Sequence, residues 1–66
     1  MNLKMADVTE KAINYMTKVG YSYSRIDKIE KNESDTVWVV TVIVGIGEKK
    51  KVVKIDDKSG DIISYE

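Results

Sequence analysis

Few residues in this chain have the type and spacing to do chemistry. There is no His and no Cys among its 66 residues. Nucleophilic catalysis by a Ser–His or Cys–His arrangement is therefore excluded by composition. Thiolate ligands and the commonest transition-metal ligand are missing for the same reason. Adjacent carboxylates occur at Asp56-Asp57. On a strand two neighbours point to opposite faces, so they cannot share a proton, and both read as turn residues. The run Asp57-Lys58-Ser59-Gly60-Asp61 has a faint calcium-loop look. A calcium loop of the helix–loop–helix type needs Gly at its sixth position and a distant Glu, whereas here Gly is fourth and Ile62 sixth. A hairpin turn with a late Gly is the better reading. No catalytic, metal or cofactor site is expected.

The remaining candidates are cations. Lys49-Lys50-Lys51, with Lys54, clusters basic charge on one hairpin and could meet phosphate. The chain carries 11 basic and 11 acidic residues and no formal net charge. Non-specific nucleic-acid affinity grows with the counterions released, so a neutral chain is a poor binder. The lysines read better as a solvated strand start that discourages edge-to-edge pairing. Arg25 is the only Arg, which confines bidentate recognition of phosphate or carboxylate to one position. No nucleic-acid or membrane partner is expected.

Elements must position whatever site exists, and one stretch dominates them. Asp35 to Ile46, DTVWVVTVIVGI, is the long apolar run, and β-branched residues fill it. Such side chains are stiff at χ1 and fit a pleated surface, which predicts a central strand. Thr36, Trp38, Val40, Val42, Val44 and Ile46 fall on one face of it. Val37, Val39, Thr41, Ile43 and Gly45 fall on the other. Before it, Val8, Ala12, Tyr15, Met16 and Val19 share an arc of about 100° at helical spacing, with Ile13 on its flank. This predicts a helix from Asp7, read as the opening of a capping box with Glu10, to Val19. Met5 joins the arc if the helix starts earlier, so residues 1–6 either fray or extend it. Gly20 suits the left-handed position that closes a helix.

A strand is predicted over about 23–32. Ile26 and Ile29 are odd-spaced there, so the sheet buries both faces or a bulge intervenes. Tyr21 and Tyr23 fit either the core or the rim of a partner site. Asn32-Glu33-Ser34-Asp35 is a turn. A third strand covers Lys49 to Asp56, with Lys51, Val53 and Ile55 on one face and Val52 and Lys54 on the other. Asp61 to Tyr65 is a short fourth strand. Short connections force antiparallel neighbours, and one helix covers one face of the sheet. The expected fold is a single α+β domain in the order α-β-β-β-β.

Two local patterns, Trp38-Val39-Val40-Thr41-Val42-Ile43-Val44 and Val53-Lys54-Ile55-Asp56-Asp57-Lys58-Ser59-Gly60-Asp61-Ile62-Ile63, carry a family resemblance. The chain resembles, over about residues 8–65, the PepSY-like domains and the small gas-vesicle accessory proteins of the GvpO type. The resemblance implies one helix followed by an antiparallel meander, and it implies no catalytic residues.

A chain this short buries a small share of its surface and often gains support from disulfides, metal or oligomerisation. Without Cys and His, oligomerisation remains. The N-terminal stretch has no apolar run of signal-peptide type, and no run approaches the ~20 residues of a membrane span. A cytoplasmic protein is expected. In the GvpO-type pattern the positions between the valines of the central strand are polar, whereas here they are Val39, Thr41 and Ile43, preceded by Val37. A sheet face turned to water should alternate polar outward. Contiguous apolar area in its place marks an interface. Val37, Val39, Thr41 and Ile43 are therefore the expected contact with a second copy or with another protein partner.

Overall fold

The computed structural model describes residues 3–66; Met1 and Asn2 lie outside the described residues. The helix α1 runs Met5–Lys18, and the strands are β1 Ser24–Lys31, β2 Val37–Val44, β3 Lys49–Asp56 and β4 Ile62–Tyr65. The strands form one antiparallel sheet in the order β1-β2-β3-β4, an α+β fold with α1 over one face.

The helix starts three residues earlier than the Asp7 cap predicts. Asp7 occupies the third helical position, where its carboxylate accepts the Lys4 N–H at 3.2 Å. An acidic group in the first turn also complements the helix dipole, so the same residue serves the start from inside the helix. Thr9 and Thr17 tolerate the interior by donating their hydroxyls to the carbonyls of Met5 and Ile13. The C-terminus closes as predicted around Gly20, at φ +110°. The Gly20 N–H donates to Thr17 and the Tyr21 N–H to Met16, the paired bonds of a Schellman motif. Val19 sits in the cap itself and is exposed, so it leaves the predicted arc. Tyr21 packs against the core in its place.

In β1 the bulge resolves the odd spacing. Ile26 pairs with Val42 and Ile29 with Val40, with a register shift between Ile26 and Lys28. The extra residue, Asp27, lets both isoleucines face the helix. The turn into β2 is tied by Asn32, whose Oδ1 accepts the N–H groups of Thr36 and Val37 at 2.9 and 3.1 Å. Asp35 takes a left-handed φ of 60° there, which Asp tolerates better than most residues. β2 ends at Val44. Ile46, on its core face by alternation but inside the Gly45-Ile46-Gly47-Glu48 stretch whose glycines predict a turn, is a turn residue and 100 % exposed. The Gly45–Glu48 turn bends the chain back before Ile46 can join the sheet.

The core lies between α1 and one sheet face. Val8, Ala12 and Met16 meet Trp38, Val40, Val42 and Val44 of β2 and Val53 and Ile55 of β3. Ile13, Tyr15, Tyr21, Ile26, Ile29, Ile62 and Tyr65 seal its margin. Tyr15 and Tyr65 meet edge to face, 5.5 Å between ring centres. Among the described residues no helix is long and apolar enough to cross a membrane.

Candidate interaction face

Strand alternation places Val37, Val39, Thr41 and Ile43 on the sheet face opposite α1, and each is half-buried. Residues directly across an antiparallel ladder share a face, so the register names their neighbours. Val39 lies between Glu30 and Lys54, Thr41 between Lys28 and Val52, and Ile43 between Arg25 and Lys50. Val37 lies beside Asp56. The face is thus an apolar centre line, widened by Val52, between two charged margins. The aliphatic stems of Lys and Arg lie along apolar surface while their charges reach water. That accounts for half-burial on a face with no helix over it.

Ion pairs tie the margins together. Arg25 meets Glu48 at 2.7 Å, Lys28 meets Glu30 at 2.8 Å, and Lys50 reaches Asp27 at 3.7 Å. The last pair joins β3 to β1 and so passes over β2 near Thr41 and Ile43. The hydrogen bond to Glu30 and its negative charge hold the Lys28 ammonium above its ordinary pKa.

The same alternation divides the lysine cluster. Lys50 lies on the open face, while Lys49 and Lys51 pair with Val44 and Val42 and point to the helix side. The Lys51 ammonium sits 5.9 Å from the centre of the Tyr65 ring. Three consecutive lysines on a strand do not form one row.

The acidic pair separates in a similar way. Asp56 caps the β3–β4 turn, its Oδ2 accepting the N–H groups of Lys58 and Ser59 and the Ser59 hydroxyl. The Ser59 donors, first its N–H and then its hydroxyl, lower the Asp56 pKa. Gly60, at φ +77°, completes that turn. Asp57 turns inward and is 2 % exposed. Its Oδ1 accepts the indole N–H of Trp38 at 2.6 Å, and its Oδ2 lies 3.3 Å from the Lys31 ammonium. That ammonium is 4.7 Å from the centre of the Trp38 ring and 3.2 Å from Asp35. Partial burial opposes the Lys31 charge, but the hydrogen bonds to Asp35 and Asp57 outweigh it and leave the pKa raised. The backbone of Asp57 also bonds Thr36 and Leu3. Asp57 therefore fastens the end of β1 and the start of β2 through its carboxylate, and the segment before α1 to the β3–β4 turn through its backbone.

Asp57 was missed by sequence reasoning as anything beyond a turn residue. A signal existed. A core Trp needs an acceptor for its N–H. Trp38 pairs with Ile55, which places Asp57 one repeat further along the same face. With both oxygens committed to internal partners, Asp57 is an anchor and offers nothing to a substrate. Shallow grooves flank the core. One of about 310 Å³ is lined by Asp35, Thr36, Asp56, Asp57 and Lys58. Another, of about 300 Å³, runs between α1 and β4 past Lys11, Asn14, Tyr15 and Lys18, and one of about 370 Å³ lies along α1 at Leu3, Asp7, Glu10 and Lys11. Among the described residues no three His, Cys, Asp or Glu side chains gather as metal ligands. Tyr23, left undecided between core and rim, is exposed beside the sheet end, and Tyr21 belongs to the core margin.

Comparison with family models, with curated proteins and with solved structures finds no match to this chain. The PepSY-like and GvpO-type resemblance rests on its two short stretches alone.

Proposed function

We propose that this chain is a small non-enzymatic interaction domain that pairs with a second copy of itself through the open sheet face. One observation carries the reading: Val37, Val39, Thr41, Ile43 and Val52 form a contiguous apolar line on the face that α1 leaves uncovered. Two such faces can stack about 10 Å apart and exclude water from both, as sheets do in a sandwich. A domain of this size gains from that burial, because its own core is small.

A nucleic-acid module built on Lys49–Lys51 is the alternative. The division of those lysines between two faces, and the carboxylates paired with Arg25, Lys28 and Lys50, weigh against it. Molar mass in solution tests the dimer. It should rise from the 7.5 kDa of one chain toward twice that value as concentration increases into the high micromolar range. Replacing Val39 and Ile43 together by Lys should hold the chain at the lower mass while its helix signal persists. A wild-type chain that stays monomeric over the same range, with Val39 and Ile43 protected from solvent, sinks the proposal. Salt-sensitive nucleic-acid binding lost on changing Lys49, Lys50 and Lys51 to Gln would put the alternative in its place.

A further inference from the structure

The charges beside the apolar line are not arranged at random along it, and they select one orientation for the second copy. Along the strands, the open face has four levels. At Val37 the neighbours are Asn32 and Asp56; at Val39 they are Glu30 and Lys54. At Thr41 they are Lys28 and Val52; at Ile43 they are Arg25 and Lys50. In β1 the acidic Glu30 thus sits one level from the basic Lys28, and in β3 Asp56 and Lys50 occupy opposite ends of the face.

We infer that the two copies meet about a two-fold axis that lies between the stacked sheets, crosses the strands at right angles, and passes between the Val39 and Thr41 levels. This inference rests on the dimer reading above. The axis exchanges levels and keeps strands, so each β1 lies over the β1 of its partner. Glu30 then faces the partner's Lys28, and Lys28 faces the partner's Glu30. Asp56 faces the partner's Lys50, and Arg25 faces the partner's Asn32. Val39 covers the partner's Thr41, and Val37 covers the partner's Ile43. No like charges coincide among these pairs; Asp27, in the bulge of β1 beside the Thr41 level, comes nearest the partner's Glu30, with Lys50 of its own chain 3.7 Å away to offset it. Lys50 keeps Asp27 at 3.7 Å and adds the partner's Asp56, while Lys28 and Glu30, 2.8 Å apart within each chain, extend their pair across the axis. The other two-fold that stacks the same faces runs along the strands over β2. It would set Arg25, with Glu48 2.7 Å away beside it, over the partner's Lys50 at the Ile43 level, a like-charge pair that the crossing axis avoids.

The face is small. Three eight-residue strands and the four-residue β4, at ~3.4 Å per residue and ~4.8 Å apart, cover roughly 450 Å². Stable interfaces bury about 800 Å² per partner, so the pairing is weak and its charges matter to partner choice. Stacked sheets also cross at about 30°, so correspondence is best near the axis, at Glu30 and Lys28.

The test uses two exposed positions. K28E places two acids at the central levels of β1, and E30K places two bases there. Each variant alone should lose self-association, because every central contact becomes a like-charge pair. An equimolar mixture should recover it as a heterodimer, since acids on one chain then face bases on the other twice over. A K28E chain that dimerises like wild type overturns the orientation, as does a mixture that stays monomeric. A monomeric wild type removes the dimer reading itself, which separates that failure from failure of the axis. Carbodiimide cross-linking of the wild-type chain, half of it isotope-labelled, gives an answer free of substitutions. The orientation requires an interchain amide between Glu30 and Lys28 in the dimer band. An amide from Glu30 to Lys54 instead would show the axis along the strands.

Discussion

β2 presents Val40, Val42 and Val44 to the helix and Val39, Thr41 and Ile43 to the other side, so its two faces differ little in residue type. They differ in what flanks them. Toward the helix, Val40 and Val42 lie between β1 isoleucines and the β3 residues Val53 and Lys51, with Ala12 and Met16 in the same core cluster. On the open side every residue of the line except Val52 has at least one polar or charged neighbour in β1 or β3, and no helix follows. The same β-branched side chain is fully buried in one setting and half-buried in the other. Strand propensity decides that β2 forms, and the neighbouring strands decide what each face is for.

The helix side ends at Trp38 and Asp57, and breaking that end should have the largest effect. A domain of this size has about 3–10 kcal/mol of total stability. Asp57→Ala leaves the Trp38 N–H without its acceptor and Lys31 without its inner partner, which costs about 3 kcal/mol. Urea unfolding should show a much lower midpoint than wild type, with no transition left where the wild-type stability lies at the low end of that range. A midpoint close to wild type would mean that the carboxylate does not hold Trp38. The pair Val42→Ala and Val39→Ala sharpens the comparison directly. Val42→Ala removes fully buried methyls and should cost about 1–3 kcal/mol. Val39→Ala, measured where the chain is monomeric, should cost less than Val42→Ala, because part of the Val39 surface was never withdrawn from water. Equal losses at the two positions would mean that the faces are equally covered within one chain.

The faces were legible because alternation is a local property. The positions of β2, the bounds of β3 and the helical arc follow from spacing alone, and the α-β-β-β-β order from connection length. What spacing left open needed long-range facts. The bulge at Asp27 is decided by which side of β1 the helix covers, so Ile26 and Ile29 posed the question without answering it. The helix start depends on whether Asp7 caps from outside or from within the first turn, and both geometries suit the same residue. Val19 looked like a core residue by period but lies in the cap that ends its helix, and at Ile46 the glycines on either side overruled the alternation. Asp57 belongs with Trp38 only once β2 and β3 are in register. The open face was identifiable as a face; the charge levels along it required the pairing of β1 with β2 to be known.

The smallest expected effect lies at Asp56, at the margin where the two faces share a turn. Donors from Ser59 and Lys58 favour its ionised form, and its pKa in the folded chain lies below the 3.8 of an unperturbed carboxyl. A carboxyl whose pKa falls on folding adds stability at any pH above its unfolded value, and the addition disappears as pH falls through the folded value. Neutral solution therefore contains the whole contribution, and it fades below about pH 4. Asp56→Asn retains an oxygen to accept the turn N–H groups but has no charge to titrate. The variant should have a slightly lower thermal midpoint than wild type at neutral pH, and the two should converge toward pH 3. Because the group is exposed, solvent and salt screen the effect, and added salt should narrow the neutral-pH gap further. Low protein concentration is needed, since Asp56 also faces the partner's Lys50 in the proposed dimer. A gap that widens on acidification would mean that the carboxylate is strained in its turn, and the margin would then resist folding where it is now read as fastening it.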